Sequence, residues 1–200
     1  MSVNRIDFSK RYTLKDYLSW DTDERYELLD GVPYLMTSPS SWHQQVSMNL
    51  SGFIWNYLRS KGSPCRVYTA PTDLLLFDAE DNLNAKDVVQ PDIFVICGGQ
   101  HRRMVSGVPI WVIEILSPST VRKDKIIKLR TYEQARVGEY WIIDPLTQYV
   151  QVFVLDDNGR YSQNQIHERN EKVKVSVLDD FEISLSEVFG DEIAIGNESE

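Results

Sequence analysis

Val88-Val89-Gln90-Pro91-Asp92-Ile93-Phe94-Val95-Ile96, followed by Ile110-Trp111-Val112-Ile113-Glu114-Ile115-Leu116, is the stretch on which the reading of the fold turns. Two short apolar runs rich in β-branched residues read as strands, from Val88 to Ile96 and from Ile110 to Leu116. Their nearly continuous apolar character suits central strands covered on both faces. Each also carries a carboxylate, Asp92 or Glu114. A carboxylate within a buried strand is costly unless it is paired, hydrogen-bonded or bound to a cation. One such residue reads as a structural ion pair or a strand end reaching solvent. Two in successive strands, lying side by side, can instead share one hard cation such as Mg²⁺, which prefers oxygen ligands.

Working outward, Thr13-Leu14-Lys15-Asp16 reads as a short helix with a capping box. The apolar runs on either side of Asp30-Gly31 predict a hairpin, Tyr26 to Met36, and Pro33 puts that hairpin at a sheet edge or a bulge. Ser41 and Gln44 have capping-box spacing, and Val46, Leu50, Phe53, Ile54, Tyr57 and Leu58 recur at the helical period up to Gly62 and Pro64. Cys65 to Phe77 reads as a strand interrupted at Pro71, and Asp78 to Asp87 as a loop. Beyond Leu116 comes a helix from about Val121 to Ala135, then a strand from Glu139 to Asp144. Short strands follow at Tyr149 to Leu155, Ile166, Val173 to Val177 and Phe181 to Leu185, with a last helical turn at Ser186 to Phe189. The expectation is one α/β domain over residues 1–190, with a mixed central β-sheet flanked by helices and an N-terminal β-hairpin. Residues 191–200 read as a frayed acidic tail.

At 200 residues and 42% hydrophobic, the chain has enough material for one substantial core. No charged leader precedes an apolar run at the N-terminus, and no run reaches the ~20 residues of a membrane span. Cys65 and Cys97 lack CxxC spacing and read as two reduced thiols, so a cytoplasmic protein with no membrane partner is expected. The net charge of −9 argues against a passive nucleic-acid coat. The charge is uneven, however. Between Gln100 and Arg136 stand eight basic residues and three acidic ones. Such a run is either a solvated helix face or a local surface for anionic ligands. Glycine-rich phosphate loops, GxSxG elbows and HExxH motifs are missing, and His43, His101 and His167 are too scattered for a zinc motif.

Pro91-Asp92 followed by Glu114-Ile115-Leu116 resembles the PD-(D/E)xK nuclease superfamily motif. A wider series resembles its Uma-type branch of restriction-endonuclease-like proteins: Tyr26-Glu27-Leu28-Leu29-Asp30-Gly31, the helix entry at His43, Pro91-Asp92, and Glu114 to Thr120. It continues through Asp124 with Lys128 and Tyr132 to Glu139-Tyr140-Trp141-Ile142-Ile143-Asp144-Pro145. The resemblance runs from about Thr13 to about Phe189 and implies a restriction-endonuclease-like fold. It also implies a Mg²⁺-dependent endonuclease (Mn²⁺ as a substitute) that hydrolyses phosphodiester bonds of nucleic acid, DNA above all. A homodimer, common among soluble proteins, would suit two-strand cutting.

The superfamily places lysine two residues after the acidic position, and here that residue is Leu116. The branch places its lysine on the following helix, which makes Lys128 the substitute. Asp124, Lys128 and Tyr132 are spaced four apart and share one helix face; an exposed ion pair and a catalytic lysine are both compatible with that spacing. The resemblance implies Asp92, Glu114, the main-chain carbonyl of Ile115 and also Glu27 as metal ligands, with Lys128 and Glu27 in the catalytic set. Glu27 otherwise reads as an outward-facing strand residue, and His43 as a solvent-facing cap residue rather than a phosphate contact. Arg122 and Lys125, within the basic run, are the further candidates for substrate phosphates. Two rivals stand beside the nuclease: a non-catalytic nuclease-fold binding or regulatory module, and a metal phosphodiesterase of small molecules.

Overall fold

A computed structural model describes residues 6–77, 83–98, 100–101 and 104–190. The chain opens with helix α1 (Leu14–Ser19), capped reciprocally by Thr13 and Asp16 as the capping box requires. Strands β1 (Tyr26–Leu29) and β2 (Val32–Leu35) form the expected hairpin. Its turn residues, Asp30 and Gly31, have φ of 50° and 77°, as a type I′ turn demands. Pro33 lies in β2, which is an edge strand, so its missing N–H costs no ladder bond.

Helix α2 (Ser41–Ser60) buries Val46, Leu50, Ile54 and Leu58, a stripe at four-residue spacing. Its cap is Ser40 rather than Ser41, and the Ser40 hydroxyl accepts from the His43 N–H. The expected Ser41–Gln44 capping box therefore does not form, because Ser41 is already the first helical residue and Ser40 caps alone. Next come β3 (Cys65–Thr69) and β4 (Leu74–Leu75), separated at Pro71 as expected. The single strand expected over Val88 to Ile96 is two: β5 (Val88–Val89) and β6 (Ile93–Cys97). Pro91 between them cannot donate to a ladder, and the two halves pair in different sheets.

Strands β7 (Gln100–His101), β8 (Val105–Ser106) and β9 (Trp111–Ile115) lead into a helix that begins irregularly. Lys123–Lys128 is a π-helical turn that runs directly into α3 (Leu129–Gln134). The remainder is β10 (Glu139–Asp144), β11 (Tyr149–Leu155), β12 (Tyr161–Glu168), β13 (Lys172–Lys174), β14 (Glu182–Ser184) and α4 (Leu185–Phe189). The acidic tail from residue 191 and Arg102 and Arg103 of the basic run lie outside the described residues.

The central sheet is mixed, ordered β12-β11-β10-β9-β6-β3, with β9 and β10 parallel and the other pairs antiparallel. A second six-stranded sheet, β2-β1-β5-β4-β8-β7, covers one of its faces and was not foreseen as a separate layer. Alternation along the strands sorts the core accordingly. Ile93, Val95, Trp111 and Ile113 pack under α2 and the β13–β14 hairpin. Phe94, Ile96, Val112 and Leu116 face the second sheet and Tyr132 of α3.

Cys65 and Cys97 sit directly across from one another on β3 and β6 and form a disulfide. The expectation of two reduced thiols is corrected here. The cysteines are 32 residues apart, so only the pairing of the strands brings them together. The compartment argument loses that support. No helix among the described residues is long and apolar enough to cross a membrane.

Candidate active site

Asp92 and Glu114 have the parity of Phe94 and Val112, so both point toward the second sheet. The β6–β9 ladder pairs Ile93 with Ile113; one residue further, Asp92 comes level with Glu114. Both line a cavity of about 530 Å³ at the ends of these strands, bounded by the residues after β2, the start of α2 and the segment Ser117 to Lys128. The pairing read from the sequence is therefore a pairing in space.

Each carboxylate is anchored through one oxygen. Asp92 Oδ2 accepts from the Ile115 N–H at 2.7 Å and lies 3.1 Å from His43 Nε2. Glu114 Oε1 accepts from Lys128 Nζ and from the Tyr132 hydroxyl, both at 2.7 Å. The second oxygen of each has no protein hydrogen-bond partner among the described residues. Ile115 is fixed at the site by its N–H.

Lys128 is almost fully buried, so the exposed ion pair compatible with its spacing does not form. Its Nζ lies 2.7 Å from Glu27 Oε1, 2.7 Å from Glu114 Oε1 and 3.9 Å from Asp124 Oδ1. Leu116 is buried among apolar residues. The amine beside Glu114 thus comes from the helix, not from the strand position two residues later.

Glu27 is fully buried in β1 rather than outward-facing, and both its oxygens are engaged. Oε1 accepts from the Gln90 N–H at 2.9 Å as well as from Lys128, and Oε2 accepts from Lys123 Nζ at 2.6 Å. It stands behind the cavity wall as a partner of two lysines. Lys123 was missed by periodicity, since residues five apart on an α-helix are turned ~140° from one another. The π turn, with its i→i+5 bonding, brings Lys123 and Lys128 to the same carboxylate. Proline and glycine punctuation gives no signal for such a turn.

His43 is buried rather than solvent-facing, and it lines the cavity beside Asp92. Arg122 lines the cavity too, whereas Lys125 turns away and donates to the Tyr149 hydroxyl at 2.8 Å. Gln90 was also missed. Its amide donates to Asp73 at 2.7 Å, holding the strand break at Pro91 against the second sheet.

The electrostatics follow from burial. Desolvation pushes the Glu114 carboxyl up to about 8 against the pull of Lys128, with Asp124, Asp92 and Glu27 adding repulsion. Desolvation raises Asp124 as well. Burial would raise Glu27 too, but Lys128 and Lys123 outweigh it and hold Glu27 below the usual carboxylate value. Burial opposes the Lys128 charge, and Glu114, Glu27 and Asp124 more than restore it. His43 is raised: burial opposes its proton, but the hydrogen bond and charge of Asp92 prevail. The result is two lysines among four carboxylates, with open oxygens facing the cavity.

This donor set suits a hard cation: two carboxylate oxygens without protein partners, beside room for waters. Among the described residues no three His, Cys, Asp or Glu side chains converge as a complete cage. Mg²⁺ is commonly held by one or two carboxylates and keeps several waters, so the two-carboxylate arrangement fits it.

A family model named Uma2, described as "Putative restriction endonuclease", matches residues 14–186. An uncharacterized protein of Synechocystis sp. is 26% identical over 150 residues, spanning 72% of this chain and 75% of that one. The crystal structure of a "putative nuclease belonging to DUF820" from Anabaena variabilis superimposes with a TM-score of 0.69 at 20% identity, covering 88% of this chain and 97% of the other. The fold is thus the mixed α/β, restriction-endonuclease-like one that was expected. With the family match running from α1 into α4, the chain belongs to the Uma2 family of restriction-endonuclease-like proteins.

Proposed function

We propose that this protein is a Mg²⁺-dependent endonuclease that hydrolyses phosphodiester bonds of DNA. The observation that carries the reading is the pair Asp92 and Glu114, each fixed through one oxygen and open to the cavity through the other. These two side chains, with the Ile115 carbonyl as the candidate third ligand, would hold the cation. When bound, the cation supplies Lewis-acid polarisation of the phosphoryl group and a water acidic enough to act as nucleophile.

The remaining roles belong to the chain itself. The Ile115 N–H and His43 fix the orientation of Asp92, so its open oxygen stays at the cavity. Lys128 and Tyr132 do the same for Glu114, and Lys128 also offsets the mutual repulsion of Glu114, Glu27 and Asp124. Preorganisation of this kind costs nothing at the moment of reaction. In the hydrolysis, a water oxygen bonds to phosphorus, the P–O bond to one sugar breaks, and the departing oxygen takes a proton. Arg122 on the cavity wall meets the flanking phosphates.

A second reading rests on Leu116: with no lysine on the strand, and with Lys128 tied to three carboxylates, the protein is a nuclease-fold module that binds without cutting. The two part in one assay, incubation of plasmid and single-stranded DNA with Mg²⁺ or Mn²⁺ beside Asp92→Ala. Cutting by the parent alone establishes the nuclease. No cutting by a folded parent that still binds DNA establishes the binding module.

A further inference from the structure

We propose that Lys123, and not Lys128, is the lysine that contacts the substrate phosphate, while Lys128 is a positioning residue. The inference rests on the nuclease reading and assigns a role to a residue that neither the motif nor the spacing picks out. The two lysines are the first and last residues of the π turn, and both reach Glu27, one on each oxygen. Their surroundings differ. The Lys128 side chain is 2% exposed, and its ammonium faces Glu27, Glu114 and Asp124. An ammonium has three N–H donors, and here carboxylates take up its surroundings. Turning it toward a phosphate would strip Glu114 and Glu27 of their buried counter-charge.

Both lysines line the cavity, but the Lys123 side chain is 12% exposed. Its ammonium has one protein acceptor among the described residues, Glu27 Oε2 at 2.6 Å. Donors therefore remain for a phosphate oxygen while the bond to Glu27 persists. Glu27 acts as the positioning residue, with the Gln90 N–H fixing it from β5. This arrangement also gives a cavity rich in carboxylates a positive charge at its wall, next to Arg122.

The test compares the parent with Lys123→Gln, Lys123→Arg and Lys125→Gln. Lys125 serves as the control because it sits in the same basic run but points away from the cavity. Affinity for a short DNA duplex is measured with Mg²⁺ over a salt series, beside cleavage and thermal stability. A lost phosphate contact lowers the slope of log affinity against log salt by about 0.9. Lys123→Gln is expected to show that drop and a tenfold or greater loss of kcat/KM, with Lys123→Arg restoring the slope and Lys125→Gln leaving it unchanged. A folded Lys123→Gln with the parental slope overturns the proposal, whatever happens to cleavage. If the parent binds and does not cut, the nuclease reading falls, and the slopes still decide Lys123. If the parent binds no nucleic acid, both fall.

Discussion

Single buried charges in this molecule are held by whole sets of partners, and removing one partner exposes the cost. Replacing Lys128 by Met leaves Glu27 and Glu114 buried without their shared cation. Breaking a buried pair from one side costs about 3–5 kcal/mol, so K128M is expected to fall by that amount in chemical denaturation, with Glu27→Gln in the same chain recovering part of it. Glu139 is a different case, with no ion pair among the described residues. Its Oε1 accepts from Trp141 Nε1 at 2.6 Å, and Oε2 from the N–H groups of Ser176 and Val177 at 2.6 and 3.1 Å. Burial raises its carboxyl above the ordinary 4.5, and those donors only partly offset the rise. Between 4.5 and the raised value the folded chain binds more protons than the unfolded one, so this group's contribution to stability falls as pH rises through that window. Gln cannot titrate. The stability of Glu139→Gln relative to the parent should therefore climb between pH 4.5 and 7 in parallel urea titrations, and a flat difference would show that Glu139 does not titrate there.

At the scale of elements, the hairpin that delivers Glu27 depends on a turn only glycine accommodates well. Gly31 has φ of +77°, and a Cβ there would stand 2.8 Å from the Tyr12 carbonyl oxygen. Gly62 also has positive φ, +59°, but open space around it. Both Ala variants incur the conformational penalty, roughly 1 kcal/mol or more, and G31A adds a backbone clash. G31A should be the less stable in thermal unfolding, by several degrees beyond G62A; equal losses would mean that the Tyr12 segment yields freely. This hairpin was legible because Asp-Gly between apolar runs has one cheap geometry. The α2 stripe was legible from period alone. The break between β5 and β6 was not, although Pro91 marks it, because apolar residues on both sides continue the same pattern while joining different sheets. The π turn was hidden as well: Asp124, Lys128 and Tyr132 satisfy α-helical spacing, and nothing local announces that Lys123 joins them.

For the molecule as a whole, the carboxylate pair was readable from the sequence because a charge inside an apolar strand demands a reason. Its wall was not, since Lys123 and Gln90 arrive from a helix and a second sheet whose packing no local pattern encodes. That wall bears on how an acidic protein approaches DNA. The net charge is −9, and Asp92, Glu114 and Asp124 stand around the cavity where a phosphate would come. Arg122 and Lys123 line the same cavity, but Lys123 is already shared with Glu27. Without a cation the open oxygen of Asp92 repels a phosphate; with one, the open oxygens of Asp92 and Glu114 become the means of holding it. Chelation should therefore weaken duplex binding by about tenfold or more, roughly 1.4 kcal/mol, when anisotropy is measured with Mg²⁺ and then with EDTA at fixed ionic strength. Asp92→Ala should lose most of that difference, because with one open carboxylate gone the affinity no longer depends strongly on the cation. Equal affinity of the parent in Mg²⁺ and EDTA would mean that the phosphates are held by the basic run outside the cavity, and the carboxylate pair would then have no part in binding.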